Sequence, residues 1–227
     1  MMHIAVIDYS SGNLHSVAKV FEKVALEQSS KAKVSVTNKV SDILNASHIV
    51  LPGQGAFDDC ANALKSNDAI WQALHEAVLK QAKPFFGICV GMQLLADKGL
   101  EGQGADGLGW IGGIVDKMQP NDPHLKIPHM GWNTLCVSDG IQSHLAQQAF
   151  KDIAVAPSSN LIEHSVYFAH SWAIQNVSSE YILCTVDYGG DIIAAVGRDN
   201  ILGTQFHPEK SQLVGQKIIR NFLQWRV

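Results

Sequence analysis

The 227-residue sequence has no long apolar run and no strong charge of either sign. Its most apolar-looking stretch, residues 69–96, is interrupted by histidine, glutamate and lysine, whereas a membrane helix needs about 18 apolar residues in a row. The first residues lack the basic segment of a secretory signal peptide. We therefore expect a chain that does not span a membrane, and a cytoplasmic location is the default expectation.

Cysteine is scarce and widely spaced. The four cysteines are Cys60, Cys89, Cys136 and Cys184. Without a Cys-x-x-Cys pair, neither a zinc site nor a disulfide framework is indicated. The histidines form no His-x-x-x-His or His-Glu-x-x-His motif, so a catalytic metal is not expected. We expect no cofactor of any kind.

The composition excludes several classes of protein. A net charge of −4, from 17 basic and 21 acidic residues, disfavours a nucleic-acid-binding protein. With 46% hydrophobic residues the chain can bury a core without staples. No internal repeat and no low-complexity linker divides it. The sequence therefore predicts a single domain over residues 1–227.

The first half alternates β-branched runs with helical patterns, which is typical of βαβ units and a parallel sheet. The predicted strands there are 3–9, 33–37, 48–51 and 83–88, and the predicted helices are 14–25, 41–46, 56–81 and 90–96. The second half is rich in glycine and aromatic residues and suits hairpins in a mixed sheet. Its predicted strands are 109–115, 126–137, 165–174, 181–187 and 192–196, before a final helix at 212–225.

The segment Gly87-Ile88-Cys89-Val90-Gly91 has the form Gly-x-Cys-x-Gly between a predicted strand and a predicted helix. This is the thiol counterpart of the Gly-x-Ser-x-Gly nucleophile elbow. Flanking glycines permit a strained turn and close approach of the backbone. A free thiol with a pKa of about 8.5 is only about 3% ionised at pH 7, so such a nucleophile needs a base nearby.

His207 is the best candidate for that base, because it ends the last strand pattern of the sequence. Glu209 follows two residues later, and in an extended segment both side chains would point the same way. The pattern indicates a Cys-His-Glu triad with Cys89 as nucleophile. The motif is short, and a buried structural thiol with a hydrogen-bonded loop histidine is an equally good interpretation.

A glycine-rich turn, Gly53-Gln54-Gly55, ends the third predicted strand; we call it the oxyanion segment. Ligands of open α/β sheets bind at this edge, and its N–H groups are candidates to hold an oxyanion. A plain tight turn is the simpler interpretation. For His129 and His170, spacing alone favours a structural hydrogen-bonding role.

Taken together, six segments resemble the class I glutamine amidotransferases, a family with a Cys-His-Glu triad. The cysteine and His-Pro-Glu segments are shared by the whole class, whereas the others resemble its glutaminase subunits in histidine biosynthesis. The segments are 7–14, 51–57, 87–95, 127–133, 167–171 and 203–211. The resemblance covers nearly the whole chain and implies an α/β fold with an open, mostly parallel or mixed central sheet flanked by helices, similar to flavodoxin.

The resemblance implies roles for individual residues. Cys89 would attack the side-chain amide of L-glutamine, His207 would move the proton and Glu209 would orient His207. A γ-glutamyl thioester forms, ammonia leaves, and water then releases glutamate. The residues implied for the oxyanion hole and the glutamine pocket are Gly53, Gln54, Gly55, Val90, Gln93, His170, Ser171 and Trp172.

The same resemblance implies a protein partner. In this family ammonia passes into a (β/α)8-barrel cyclase subunit, that of imidazole glycerol phosphate synthase, within a heterodimer. The products there are imidazole glycerol phosphate and an aminoimidazole carboxamide ribotide. The residues implied to face this partner are Asn13, Tyr167 and Lys210.

Five positions depart from the residues usual in the family, and none of them belongs to the triad. They are Ser10, His15, Gln54, Val90 and Trp172. Gln54 replaces the usual valine of the oxyanion segment, which is expected to change how its peptide reorients. Trp172 replaces tyrosine and offers no phenol. The isolated chain is expected to be nearly inactive, because a partner must complete the oxyanion hole.

Other functions stay open on the sequence. One is a glutaminase that serves a different synthase, in a vitamin B6 or sugar-amidating pathway. Another is a catalytically silent α/β binding module that keeps only the fold. A cysteine peptidase or γ-glutamyl hydrolase would use the same triad, but neither gives a reason for the Pro-His-Met-Gly-Trp-Asn segment at 128–133.

Overall fold

The computed structural model describes residues 2–137, 145–151, 153 and 165–225, which form three sheets with helices around the largest. The strands are β1 His3–Ile7, β2 Lys33–Thr37, β3 His48–Gly53, β4 Phe85–Cys89, β5 Lys98–Gly99, β6 Ala105–Asp106, β7 Ile114–Lys117, β8 His129–Thr134, β9 Cys136–Val137, β10 Ser165–His170, β11 Trp172–Gln175, β12 Ile182–Asp187, β13 Asp191–Arg198 and β14 Ile201–Thr204. The helices are α1 Leu14–Gln28, α2 Val40–Asn45, α3 Phe57–Ser66, α4 Asp68–His75, α5 Val90–Gln93, α6 Leu145–Gln148 and α7 Gln212–Phe222.

The largest sheet has eight strands in the order β2-β1-β3-β4-β14-β13-β12-β9. Strands β2, β1, β3, β4 and β14 pair in parallel, and β13, β12 and β9 continue the sheet antiparallel. Two smaller sheets have the orders β10-β8 and β11-β7-β5-β6. The predicted α/β class with an open mixed sheet is therefore confirmed.

Three adjacent parallel strands end at one edge of the large sheet. Gly53 at the end of β3 pairs with Cys89 at the end of β4, and Thr204 at the end of β14 pairs with Ile88. Carboxyl ends of neighbouring parallel strands form the crevice in which α/β proteins bind ligands. The topology therefore brings residues 53–55, 89 and 205–209 to one place.

Aromatic packing fixes the layers on either side of β4. Phe86 points to one face, where its ring lies 6.1 Å from that of Phe21 in α1 and 5.2 Å from that of Phe222 in α7. Phe85 points to the other face and meets the edge of Trp110 at 5.2 Å. The four phenylalanine rings and the tryptophan ring are all buried. Since β4 is apolar on both faces, it lies at the centre of the core.

The structure differs from the predicted elements where glycine or a polar cap interrupts a pattern. The predicted helix 56–81 is α3, α4 and a π-helical turn, Glu76–Lys80. It breaks at Asn67, whose side chain accepts a hydrogen bond from the Ile70 N–H at 3.2 Å and caps α4. The predicted strand 109–115 begins only at Ile114, because Gly109, Gly112 and Gly113 have positive φ.

The other long predicted strands are also split. Residues 126–137 contain β8 and β9, and residues 165–174 break at Ser171 into β10 and β11, which belong to different sheets. The predicted helix 212–225 ends at Phe222. Within the described residues, no helix has the length and apolar character needed to cross a membrane.

Candidate active site

Cys89 sits at a sharp strand-to-helix turn. It is the last residue of β4, α5 begins at Val90, and Cys89 itself has φ 56° and ψ −113°. A non-glycine residue in such a conformation costs on the order of 1–3 kcal/mol and persists only when its surroundings enforce it. The backbone therefore has the form of a nucleophile elbow.

The glycines beside Cys89 serve close packing more than backbone strain. We expected them to take the strained turn, but the positive φ belongs to Cys89. A Cβ atom on Gly91 would overlap the carbonyl oxygen of Leu51 in β3, and one on Gly87 would overlap the carbonyl oxygen of Gly91. Gly91 lets the turn lie directly against β3, and Gly87 lets the start of α5 lie close to β4.

His207 and Glu209 lie in contact beside this turn. The Nδ1 atom of His207 is 2.9 Å from Oε1 of Glu209, whose side chain is only 1% exposed. Residues Pro208–Lys210 form a 3₁₀ turn, not the extended segment that the sequence suggested. The N–H of His207 donates to the Tyr167 carbonyl at 2.9 Å, and the Ser211 hydroxyl donates to the His207 carbonyl at 2.6 Å. The backbone of the histidine is thus held from two sides.

The environment of His207 favours its protonated form. Burial alone lowers its pKa, but hydrogen bonding and charge interaction with Cys89 and Glu209 outweigh burial and raise the pKa to about 9. Because Glu209 occupies Nδ1, the other ring nitrogen is the one left for Cys89. The imidazole is therefore arranged to take a proton from the thiol and to keep it beside the sulfur.

Replacing Glu209 by glutamine should lower the pKa of His207 by roughly one unit or more, because the nearby negative charge is lost. Titration of the His207 ring by NMR measures this shift, with the resonance assigned from a His207→Asn variant. Glu180→Gln, on an exposed 3₁₀ turn, is the matched control and should leave the titration unchanged. An unshifted titration in Glu209→Gln would show that the carboxylate does not set the charge of the ring.

A cavity of about 280 Å³ opens above Cys89. Most residues that the resemblance assigned to substrate binding line it: Gln54, Gly55, Val90, Gln93, His170, Ser171 and Trp172. Cys89, His207 and Lys210 also line it. Gly53 lies in the sheet beside Cys89, and Glu209 reaches the site through His207. The size and mixed lining suit one small polar molecule.

The peptide of Gln54 does not face the thiol in this structure. Its N–H donates to the hydroxyl oxygen of Ser11 at 3.2 Å, and that hydroxyl donates to the Gln54 carbonyl at 2.8 Å. The Ser11 hydroxyl also lies 3.0 Å from the sulfur of Cys60. The oxyanion segment is therefore tied back to the loop after β1. The N–H of Val90, the first residue of α5, is left as a candidate donor for an oxyanion.

His170 and His129 form a buried neutral pair. A carbonyl oxygen only accepts, so the 3.0 Å contact with Trp172 O fixes a proton on Nδ1 of His170. Its Nε2 then accepts from Nδ1 of His129 at 3.1 Å. Burial is the main cause that lowers the pKa of each ring to about 4. With a pKa of about 4, each ring is a much weaker base than His207, so neither competes with it for a proton.

No pattern in the sequence points to Glu101, which is the one carboxylate among the described residues that line the cavity. Its Oε2 accepts a hydrogen bond from the N–H of Phe57, the first residue of α3, at 2.8 Å. Burial raises the pKa of its carboxyl. Glu101 belongs to an irregular loop and matches no motif, and only the fold brings it to the cavity.

Two of the three residues implied to face a partner lie together beside the cavity. The Nζ atom of Lys210 is 5.8 Å from the centre of the Tyr167 ring. Asn13 lies at the start of α1, two residues after the Ser11 that holds Gln54, and its side chain accepts from the Ser16 N–H at 3.4 Å. In the described part of the chain no group of three or more His, Cys, Asp or Glu side chains is placed to hold a metal ion.

Comparison with known families places this geometry in a class. Residues 5–225 match the family model of the class-I glutamine amidotransferases, and the chain belongs to that family. Curated relatives include the imidazole glycerol phosphate synthase subunit HisH of Brucella abortus (strain 2308), 47% identical over 225 residues, with 99% of this chain and 100% of the relative covered. That of Rhodospirillum rubrum is 46% identical over 224 residues, with 99% of each covered. Within its class, the chain belongs with these HisH subunits.

Solved structures agree on the fold. A crystal structure of a glutamine amidotransferase has a TM-score of 0.67 at 17% sequence identity, with 97% of each chain covered. A glutamine amidotransferase from Thermotoga maritima has a TM-score of 0.57 at 16% identity, covering 92% of this chain and 76% of that one. At these identities the likeness concerns the fold alone.

Proposed function

We propose that this chain is the glutaminase subunit of an imidazole glycerol phosphate synthase and acts in histidine biosynthesis. The observation that carries the proposal is the Cys89 elbow with His207 and Glu209 beside it, in a chain 44–47% identical to HisH subunits over their full length. The proposal includes a single amidotransferase domain over residues 1–227 and a location in the cytoplasm, as the sequence predicted.

The chemistry proceeds in two halves. Cys89 gives its proton to His207, and its sulfur attacks the side-chain carbonyl carbon of L-glutamine. The C–N bond breaks, His207 returns the proton to the leaving nitrogen, and ammonia departs from a γ-glutamyl thioester. Water then attacks the thioester, its proton passes through His207 to the sulfur, and glutamate leaves. Glu209 holds the ring by its 2.9 Å contact and stabilises its charged form.

The cavity suits the zwitterionic end of glutamine. Its lining includes the carboxylate of Glu101, a partner for the α-ammonium group. Both N–H groups of the Gln93 side chain are already used, by Trp172 O at 2.9 Å and by Gln205 Oε1 at 3.0 Å. Its oxygen is therefore left to accept from the substrate. Glu101 would bind the α-ammonium group of glutamine, and the Gln93 oxygen would accept a hydrogen bond from a substrate N–H group. The side-chain amide carbon would then lie at the sulfur of Cys89.

The tied-back oxyanion segment supports a dependence on a partner. A tetrahedral intermediate needs preorganised N–H donors around its oxygen, and the Gln54 N–H is held by Ser11 instead. One lost donor costs about 10²–10³ in kcat in other acyl-transfer enzymes. We infer that the isolated chain turns over glutamine slowly until a bound partner releases this peptide.

An exposed apolar surface beside the cavity is the proposed docking site for the (β/α)8-barrel cyclase subunit. It comprises Met130 and Trp132 of β8, Leu213 of α7 and the Tyr167–Lys210 pair. The Trp132 and Tyr167 rings contact each other edge to face at 6.0 Å. Aromatic residues and methionine are enriched at interface centres. Docking here would cover the mouth of the cavity, so that ammonia enters the partner and not the solvent.

The test measures glutamate release from L-glutamine. The chain is assayed alone, then with the cyclase subunit, and then with the cyclase subunit and its ribonucleotide substrate. We expect little activity alone and an increase of at least about 10²-fold in the full mixture. The Cys89→Ala variant, assayed in parallel, should abolish the increase.

Other outcomes decide against the proposal. Substantial turnover by the isolated chain would contradict the need for a partner. Failure to bind the cyclase subunit, together with binding to another synthase, would assign the chain to a different amidating pathway. No turnover with any synthase, by a folded chain that forms no thioester, would leave a silent α/β module.

A further inference from the structure

The side chain of Gln205 touches the nucleophile and has no part in the chemistry described so far. It follows β14 directly and is completely buried. Its Nε2 lies 3.8 Å from the sulfur of Cys89, within hydrogen-bond range for sulfur, and its Oε1 lies 3.0 Å from Nε2 of Gln93. The amide therefore bridges the nucleophile and a residue of the cavity wall.

The orientation of this amide is determined by one backbone carbonyl. Trp172 O can only accept, so the atom of Gln93 that contacts it at 2.9 Å must be the NH₂ group. The same NH₂ group faces Gln205, so the atom of Gln205 on that side must be the oxygen. The remaining end of Gln205, which faces Cys89, is its NH₂ group. A flipped Gln205 would place two NH₂ groups against each other.

The anchor of this chain of contacts is itself held in place. Trp172 O also accepts from Nδ1 of His170 at 3.0 Å, and His170 is held by His129. The ring of His129 is stacked between Phe168 at 4.6 Å and Tyr188 at 3.9 Å. The Pro-His-Met-Gly-Trp-Asn segment thus reaches the nucleophile through buried hydrogen bonds.

We propose that Gln205 is a catalytic residue that donates a hydrogen bond to the Cys89 sulfur and stabilises its thiolate form, with Gln93 as the residue that positions it. The inference rests on the proposed function and deepens it. A hydrogen bond to a charged acceptor is about twice as strong as one between neutral groups, so the contact favours thiolate over thiol. The low dielectric of the buried site strengthens this hydrogen bond.

An amide suits this position better than an ionisable group. It stays neutral across the working pH range and can neither take the proton of the thiol nor lose its own. Among the described residues that line the cavity, His207 therefore remains the one proton carrier in contact with Cys89. The sulfur therefore contacts both a proton acceptor, His207, and a fixed N–H donor, Gln205.

The experiment measures alkylation of Cys89 by iodoacetamide as a function of pH, because only the thiolate reacts. It uses the full chain with Cys136→Ser, which removes the exposed thiol, and follows the Cys89 peptide by mass spectrometry. In Gln205→Met the midpoint of the pH profile should rise by about one pH unit. Below the midpoint, alkylation of Cys89 should then be about tenfold slower than in wild type. In Gln205→Glu the midpoint should rise further, because a carboxylate beside the sulfur opposes the thiolate.

The relative size of the midpoint shifts in the two variants tells whether Gln205 acts as a hydrogen-bond donor or only by packing. Glutamate matches glutamine in shape, so a packing role would leave Gln205→Glu close to wild type and disturb only Gln205→Met. That result, or an unchanged midpoint in both variants, would overturn the proposal. Gln175→Glu, an exposed position on β11, is the matched control.

Two further readouts keep the test decisive. If thermal unfolding shows that both Gln205 variants fail to fold, the Gln93→Met variant tests the proposal instead. It removes the hydrogen bond that positions the Gln205 amide but keeps the amide itself. A smaller upward shift is expected there, and no shift would refute the positioning role. Alkylation needs no turnover of glutamine. A chain that shows these shifts but hydrolyses no glutamine would therefore refute the proposed function alone.

Discussion

Cys89→Ser will reduce glutamine hydrolysis by the partner-bound chain by about 10⁴-fold or more. A serine hydroxyl at this turn keeps the position of the nucleophile but is hardly ionised at neutral pH, and the pairing with His207 that stabilises a thiolate is lost. Loss of the nucleophile from a comparable triad costs about 10⁶ in kcat. Glutamate release in the complex measures the loss. Intact-mass analysis during turnover should show the γ-glutamyl adduct on the wild type only.

Cys136→Ser is the matched control for this substitution. It makes the same chemical change at an exposed thiol of β9, outside the cavity lining, and should retain full activity. The Cys89→Ser chain should still bind the cyclase subunit, since the apolar surface around Met130 and Trp132 is unchanged. If Cys89→Ser kept a tenth or more of the wild-type rate in the complex, the thioester mechanism would be wrong.

The sequence predicted the parts of the site that lie within short motifs. Cys89 is flanked by glycines at fixed spacing, and His207 precedes Glu209 by two residues, so the sequence predicts the chemical roles of all three. The parallel sheet of β1 to β4 was predicted from the alternation of strand and helix patterns. Strand β14 was not among the predicted strands, and its parallel pairing with β4 is what brings residue 207 within reach of residue 89.

The sequence did not predict the contacts that depend on distant segments. Glu101 matches no motif, and Gln205 lies within segment 203–211 but received no role from it; their contacts at the site follow from the fold. The break at Ser171 was missed because the alternation of β10 runs on into β11, and local pattern does not tell which sheet a strand joins. The state of the Gln54 peptide depends on a hydroxyl 43 residues away.

The location of backbone strain was also beyond the sequence. Glycine is the residue usually found at positive φ, so Gly87 and Gly91 were expected to permit the strained turn. In the structure Cys89 takes that conformation, while Gly91 is needed because the Leu51 carbonyl occupies the space of its Cβ. A motif gives the identity of the small residues but not the neighbour that requires them to be small.

Gly91→Ala will therefore destabilise the folded chain by about 3 kcal/mol or more. The added methyl group meets a backbone carbonyl, and β3 cannot move aside easily, because it is hydrogen-bonded to β1 and β4. Urea unfolding of the isolated chain, followed by circular dichroism, measures the change in the free energy of unfolding. Whatever fraction stays folded should carry a displaced elbow and alkylate Cys89 at a rate different from wild type.

Gly131→Ala separates steric overlap from backbone strain. Gly131 has φ 140° on β8, and nothing lies within 4 Å of a Cβ built there. An alanine at this position therefore adds backbone strain of on the order of 1–3 kcal/mol without a clash. The loss in Gly91→Ala should exceed it, because Gly91 carries the overlap with Leu51. If Gly91→Ala unfolded like wild type and kept the alkylation profile of Cys89, the turn would not depend on its contact with β3, and another feature would have to hold Cys89 at positive φ.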